Sequence, residues 1–223
     1  MNKTSQNDIV AEKADLVDFP FSKKAESTVS AALANNKVLA FPTETFYGLG
    51  GNALSNNVVE RVYSIKQRSR KKPLLVLLTP EWLPRLCLWN DSRINDLMAA
   101  FWPGPLTLIL AENPQLPKHL RNADQTLAVR YSSSPVAQRL IELGNCPLIG
   151  TSANLAGMPE CSSANAVSVQ LKNQLELIID GGELTEFQPS TIVNCQCETF
   201  EVLRQGAIRS EEHTSELQSH LNL

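Results

Sequence analysis

Reactive and ligand-binding side chains concentrate in three short segments of this chain. The first is PTETFYGLGGNA at 42–53, where Thr43, Glu44 and Thr45 set two hydroxyls and a carboxylate just after an apolar run. In open α/β sheets ligands bind at that end of a strand. The second is KQRSRKK at 66–72, which gathers Lys66, Arg68, Arg70, Lys71 and Lys72. Guanidinium forks bind phosphate oxygens bidentately, so this run suits a polyphosphate clamp. The plainer alternative is a solvated helix end, favoured by the helix dipole. The third is GTSANLAG at 150–157, in which Ser152 and Asn154 offer small donors for phosphate or ribose. The plainer alternative there is an Asx or ST turn.

Two nucleotide-binding patterns are excluded. No Walker sequence G-x-x-x-x-G-K-[ST] occurs, so side chains of the kind above must hold any nucleotide. Gly48, Gly50 and Ala53 satisfy the loose fingerprint G-x-G-x-x-G/A. That fingerprint should begin at the strand end and find an acidic residue about twenty positions later. Here Pro42 to Tyr47 intervene, and the later region is the basic run.

The elements that position these segments follow from periodicity. A first helix is predicted over 22–36, and VLAF at 38–41 reads as a buried strand. The TETFYGLGGNAL segment is taken as a loop. A helix capped by Ser55 or Asn56 runs to Gln67, with Val58, Val59, Val62 and Ile65 as its stripe. PLLVLL at 73–78 is a strand, followed by helices over 80–88 and 91–101. WPGP at 102–105 forces a turn. LTLIL and TLAVR are strands, and 135–143 is a helix capped by Gly144. PLIG is a strand, 164–175 a helix, and LELIID a strand. STIVN and TFEVLR make a β pair. Strands alternating with helices give an α/β domain, and the late pair argues for a mixed sheet.

Composition narrows the function classes. The 223 residues are 43% hydrophobic and 19% charged, with net charge −3, so the chain is neither a disordered tail nor a globally basic polyanion binder. Apolar runs such as LLVLL are too short to span a bilayer, and the N-terminus reads as no signal peptide. Five cysteines at irregular spacing suit a reduced, cytoplasmic protein, and Cys195 and Cys197 are not read as a metal pair. Residues 209–220, RSEEHTSELQSH, resemble the in-frame translation of a short-read sequencing adapter. We therefore read 1–208 as one domain and 209–223 as a non-native tail, expected to be disordered. Without that tail the net charge is −1, and His119 is the one histidine left. His119 is read as a surface residue, and a multi-histidine metal site is excluded.

Taken in order, PTETFYGLG, K-x-R at 66–68, PLLVLL, FWPGPLTLIL, LAVR, TSAN, IIDGG, PSTIV and LRQGAI resemble the YrdC-like family of threonylcarbamoyl-adenylate synthases. The likeness covers roughly residues 25–208 and is to the short, single-domain form. Two positions depart from the family pattern. Ser69 stands where Pro usually follows K-x-R, and Pro189 stands where Glu often precedes the late Ser-Thr.

The resemblance implies an α/β fold with a twisted mixed β-sheet, flanked by helices around a deep basic cavity. It implies condensation of L-threonine, bicarbonate and ATP to L-threonylcarbamoyl-AMP and pyrophosphate, feeding tRNA threonylcarbamoyladenosine modification. By motif, Thr43, Arg130 and Ser190 hold threonine, with Gly150 close by. Lys66 and Arg68 hold the phosphates as the catalytic pair, and Thr126, Ser152, Asn154 and Arg204 contact ATP. Mg²⁺ is expected on the ATP phosphates, with no metal ligand from protein side chains. Expected partners are the downstream tRNA threonylcarbamoyl-transferase proteins and a contact with tRNA or double-stranded RNA, without membrane association. A second reading is a non-catalytic double-stranded RNA or tRNA-binding module. The net charge and the lack of an aromatic array beside the basic run weigh against it. A third is a carbamoyl-transfer domain like those of hydrogenase-maturation proteins, which calls for acylphosphatase or zinc-finger neighbours that the sequence lacks.

Overall fold

The computed structural model describes residues 14–70, 72–171, 174–185 and 188–208, so the tail at 209–223 and Lys71 lie outside the described residues. The elements in chain order are β1 (Asp15–Asp18), α1 (Lys23–Ala34), β2 (Leu39–Pro42), β3 (Tyr47–Gly50), α2 (Asn56–Lys66), β4 (Leu75–Leu77), α3 (Leu83–Leu86), β5 (Cys87–Leu88), α4 (Ser92–Phe101), β6 (Leu106–Glu112), β7 (Thr126–Arg130), α5 (Pro135–Gly144), β8 (Leu148–Ile149), β9 (Thr151–Ser152), α6 (Ala164–Leu171), β10 (Leu177–Asp180), β11 (Thr191–Asn194) and β12 (Glu201–Arg204). The α/β class and the mixed pairing agree with the sequence reading.

The strands divide between two mixed sheets. One has the order β1-β10-β2-β3-β9, the other β12-β11-β6-β7-β4-β8, with β5 on β6. In the first sheet β1, β10 and β2 run parallel, and β3 returns antiparallel. In the second, β11 is parallel to β6 and β4 to β7. The chain crosses from the second sheet to the first at Gly150, between β8 and β9. A Cβ there would lie 2.5 Å from Leu77 Cγ.

Strand β2 is buried on both faces, as its continuous apolar run requires. Leu39 and Phe41 pack with Val29 and Leu33 of α1 and Leu140 and Ile141 of α5. Ala40 faces the larger core, with Leu49, the Val58–Val62–Ile65 stripe of α2, and Leu108 and Val129 of the second sheet. Helix α5 is fixed to the end of β2 by Ser134. Its Oγ accepts from Ala137 N and donates to Pro42 O at 2.8 Å.

Several elements differ from the sequence reading. The segment taken as a loop contains β3, pairing with β2. Glycines at alternate positions hide the period of this strand. Gly50 is required by close approach, because a Cβ would lie 1.6 Å from Ile149 O. The helix expected over 80–88 is one turn, α3, after which Cys87 extends to pair with Glu112. Asn145, not Gly144, takes the left-handed cap of α5 at φ 43°. Gly144 is instead a packing glycine against Leu33. Ser55 precedes α2 without a side-chain capping bond, and β1 carries no pattern that reveals it.

Candidate active site

Strand and helix ends converge on a cleft of about 200 Å³. The chain leaving β2 supplies its first corner. Thr43 Oγ1 donates to Phe46 O at 2.7 Å and accepts from the amides of Thr45 and Phe46, turning the backbone into β3. Thr45 Oγ1 lies 2.9 Å from Thr43 Oγ1, and both threonines line the cleft.

Arg130, at the end of β7, brings its guanidinium to the same corner while only 3% exposed. Burial lowers its pKa, and the Glu44 carboxylate opposes that effect. Arg130 Nη1 donates to Thr45 Oγ1 at 3.4 Å, a long bond. Glu44 Oε2 accepts from Ser132 Oγ.

The opposite wall joins β11, β12 and β6. Arg204 donates to Ser190 O from Nε at 3.0 Å and from Nη2 at 2.8 Å, and reaches Ser190 Oγ at 3.1 Å. Ser190 Oγ also meets the buried Thr107 hydroxyl at 2.9 Å. The guanidinium of Arg204 thus orders the serine, and both line the cleft.

The basic run separates into different roles. Lys66, ending α2, is 4% exposed. Its Nζ donates to Ser152 O, and lies within reach of Ser152 Oγ at 3.4 Å, Asn154 O at 3.0 Å and Asn154 Oδ1 at 2.8 Å. Four oxygens thus surround an ammonium with three protons. Burial, with Arg68 nearby, pushes its pKa down to about 8, against the pull of Glu160 and Cys161. Arg68 lines the cleft, with Nε and Nη2 donating to Lys72 O and Pro73 O. Arg70 turns away, pairing with Glu60 and stacking over Tyr63.

The sequence-predicted residues Thr43, Arg68, Arg130, Gly150, Ser152, Ser190 and Arg204 meet in this cleft. Lys66 and Asn154 stand behind it, joined to Ser152. Thr126 is not brought there. It shares the strand face of Ala128 and Arg130, but four residues of strand rise put it roughly 13 Å from Arg130. The reading missed Thr107 and Glu160, which also line the cleft. Thr107 had a signal, a hydroxyl inside the aliphatic run LTLIL. Glu160 had none, since an isolated carboxylate after a proline is ordinary in a loop. His119 contacts Ala53 O at 3.2 Å, outside the cleft. Among the described residues no group of three His, Cys, Asp or Glu is placed to hold a metal.

The fold is α/β, with a cleft at the seam of two mixed sheets lined in part by hydroxyls and guanidiniums. The Sua5_yciO_yrdC family model, described as "Telomere recombination", matches residues 31–206, and the chain belongs to that family. A threonylcarbamoyl-AMP synthase of Pyrococcus abyssi is 37% identical over 181 residues, covering 81% of this chain and 53% of that protein. One of Vibrio cholerae serotype O1 is 33% identical over 179 residues, covering 78% of this chain and 94% of that protein. The crystal structure of P. abyssi Sua5 complexed with L-threonine matches with a TM-score of 0.84 at 33% identity, covering 93% of this chain and 60% of that one. The chain spans about half the length of the P. abyssi relative and of its Bacillus subtilis counterpart.

Proposed function

We propose that this chain makes L-threonylcarbamoyl-AMP from L-threonine, bicarbonate and ATP, releasing pyrophosphate, for tRNA threonylcarbamoyladenosine modification. The observation that supports the reading is one cleft that brings two sets of hydroxyl and guanidinium side chains side by side. The Thr43–Thr45–Arg130 corner suits an amino-acid carboxylate and hydroxyl, and the Arg68–Ser152–Arg204 side suits a polyphosphate. The P. abyssi structure complexed with L-threonine supports the first assignment.

In this reading Arg130 takes the threonine carboxylate, with Thr43, Ser190 and the Gly150 backbone beside it. Arg68 and Arg204 neutralise the phosphates. Lys66 fixes Ser152 and Asn154 against them. The threonine amine and bicarbonate condense to a carbamate with loss of water. A carbamate oxygen then attacks the α-phosphorus, the new P–O bond forms, and pyrophosphate leaves with the electrons of the broken bond. Positioning and charge neutralisation supply the acceleration, and no protein nucleophile is needed. Mg²⁺ would be held by the ATP phosphates and water, because the guanidiniums lining the cleft are cations that cannot ligate it. Among the described residues no helix is long and apolar enough to cross a membrane, and we assign the reaction to the cytoplasm. The product would pass to tRNA threonylcarbamoyl-transferase proteins.

Pyrophosphate release, with mass spectrometry of the nucleotide product, tests the reading. Release should require L-threonine and bicarbonate but no tRNA. L-serine, one methyl smaller, should be poorer by about tenfold or more. Tight binding of structured RNA with no threonine-dependent release would favour the RNA-binding module instead.

A further inference from the structure

One charged side chain in the cleft has the wrong sign for a polyphosphate. Of the charged residues lining it, Arg68, Arg130 and Arg204 are cations and Glu160 is a carboxylate. The loop that carries Glu160 is tied on both sides. Asn154 Nδ2 donates to Met158 O at 2.6 Å, and Gln170 Nε2 donates to Pro159 O at 2.8 Å. On the far side Tyr47 N donates to Cys161 O at 3.0 Å. The backbone of Glu160 is therefore held at the cleft. Its charge favours the protonated forms of Lys66 and Arg204, the cations on either side.

We infer that Glu160 is a specificity-determining residue whose carboxylate weakens the hold of the cleft on free polyphosphate. The inference rests on the reading that this cleft takes ATP. A like charge beside a multiply anionic ligand costs affinity through space, with no contact required. ATP with threonine offsets that cost through its adenosine and amino-acid contacts. Pyrophosphate has neither, so the same repulsion falls hardest on the product and hastens its release.

The test is calorimetric titration of the full chain with inorganic pyrophosphate in EDTA, comparing wild type, Glu160→Gln and Arg204→Ala. Glu160→Gln should bind about 3- to 10-fold tighter at low salt, with the gap closing as ionic strength rises. In the threonine-dependent assay it should also be more sensitive to inhibition by added pyrophosphate. Arg204→Ala should bind more weakly than wild type. Glu160 is exposed, so the melting temperature of Glu160→Gln should match wild type. Equal or weaker binding by Glu160→Gln, with normal binding by wild type, overturns this inference alone. Weakening that appears only when Mg²⁺ is added overturns it in favour of a cation ligand. If neither protein binds pyrophosphate, the polyphosphate reading fails and this inference fails with it.

Discussion

Glu44 and Arg130 face each other across 3.5 Å, carboxylate Oε1 to guanidinium Nε, and neither atom makes a hydrogen bond among the described residues. The pair is therefore an ion pair without the donor–acceptor geometry that normally accompanies burial. Glu44 supplies charge to the Nε edge of the guanidinium, while Arg130 itself lines the cleft.

Breaking this pair from one side should be costly. Glu44→Gln leaves Arg130 buried without its counter-charge and should lose ~3–5 kcal/mol in denaturant unfolding. The double variant Glu44→Gln/Arg130→Met should recover much of that loss, yet show no threonine-dependent turnover. A loss below ~1 kcal/mol for the single variant would mean that Glu44 is not needed to balance Arg130.

Lys66 should give the reaction an alkaline limb. Its pKa of about 8 leaves it charged below that pH and increasingly neutral above it, loosening its grip on Ser152 and Asn154. The profile of kcat/KM for ATP reports the free enzyme. It should therefore fall above about pH 8. Lys66→Arg, which stays charged, should lose that limb whatever its absolute rate. Persistence of the same limb in Lys66→Arg would assign it to another group.

Arg68 should act on turnover more than on folding. Arg68→Ala should melt within a few degrees of wild type and lose ~2–4 kcal/mol in kcat/KM, the scale of a charge-assisted contact made to a developing charge. Near-normal turnover would return Arg68 to a purely local role, bonding the carbonyls of Lys72 and Pro73.

The two seam glycines should differ in tolerance. In Gly50→Ala the new methyl meets the backbone of Ile149, which cannot move without breaking the β8 pairing. Thermal unfolding should show a loss above ~3 kcal/mol. In Gly150→Ala the obstacle is the side chain of Leu77, which can shift. That variant should lose less, and equal losses would contradict the geometry.

We propose that residues 209–223 contribute nothing to stability. The described chain closes at Ile208, whose carbonyl accepts from Thr191 Oγ1 at 3.2 Å and Gln205 Nε2 at 2.8 Å. Truncation after Ile208 should leave the melting temperature unchanged. A fall of several degrees would represent more than ~1 kcal/mol for a domain of this size and would show that the tail docks.

The sequence exposes this protein unevenly. A buried strand such as Leu39–Pro42 is visible because two covered faces demand an unbroken apolar run. β3 is not, because Gly48 and Gly50 replace side chains where neighbouring groups leave no room. β8 lies within the predicted PLIG strand, but β9 is two residues, too short to carry a period, so the change of sheet at Gly150 is hidden. The guanidiniums of the site are legible through the family motifs. What those motifs could not reveal is who faces whom. Lys66 is a cation in a basic run on paper, whereas in space four oxygens enclose it. Long-range pairings such as Arg204 with Ser190 and Glu44 with Arg130 depend on strand order, which periodicity does not encode.

The parallel placement of β11 beside β6 has a consequence for biosynthesis. Thr43 emerges early from a ribosome, but the wall made by Ser190 and Arg204 emerges last among the residues of the cleft. At about 5–20 residues per second, roughly 8–30 s separate the two. In the last part of that interval, once Arg130 is made, the nascent chain carries Arg130 with Glu44 but no opposite wall, and Leu106–Ile109 of β6 lack their β11 partner. Such an edge is a template for stray strands. A chaperone that shields β6 until β11 arrives would therefore raise the yield of folded protein without touching the finished fold.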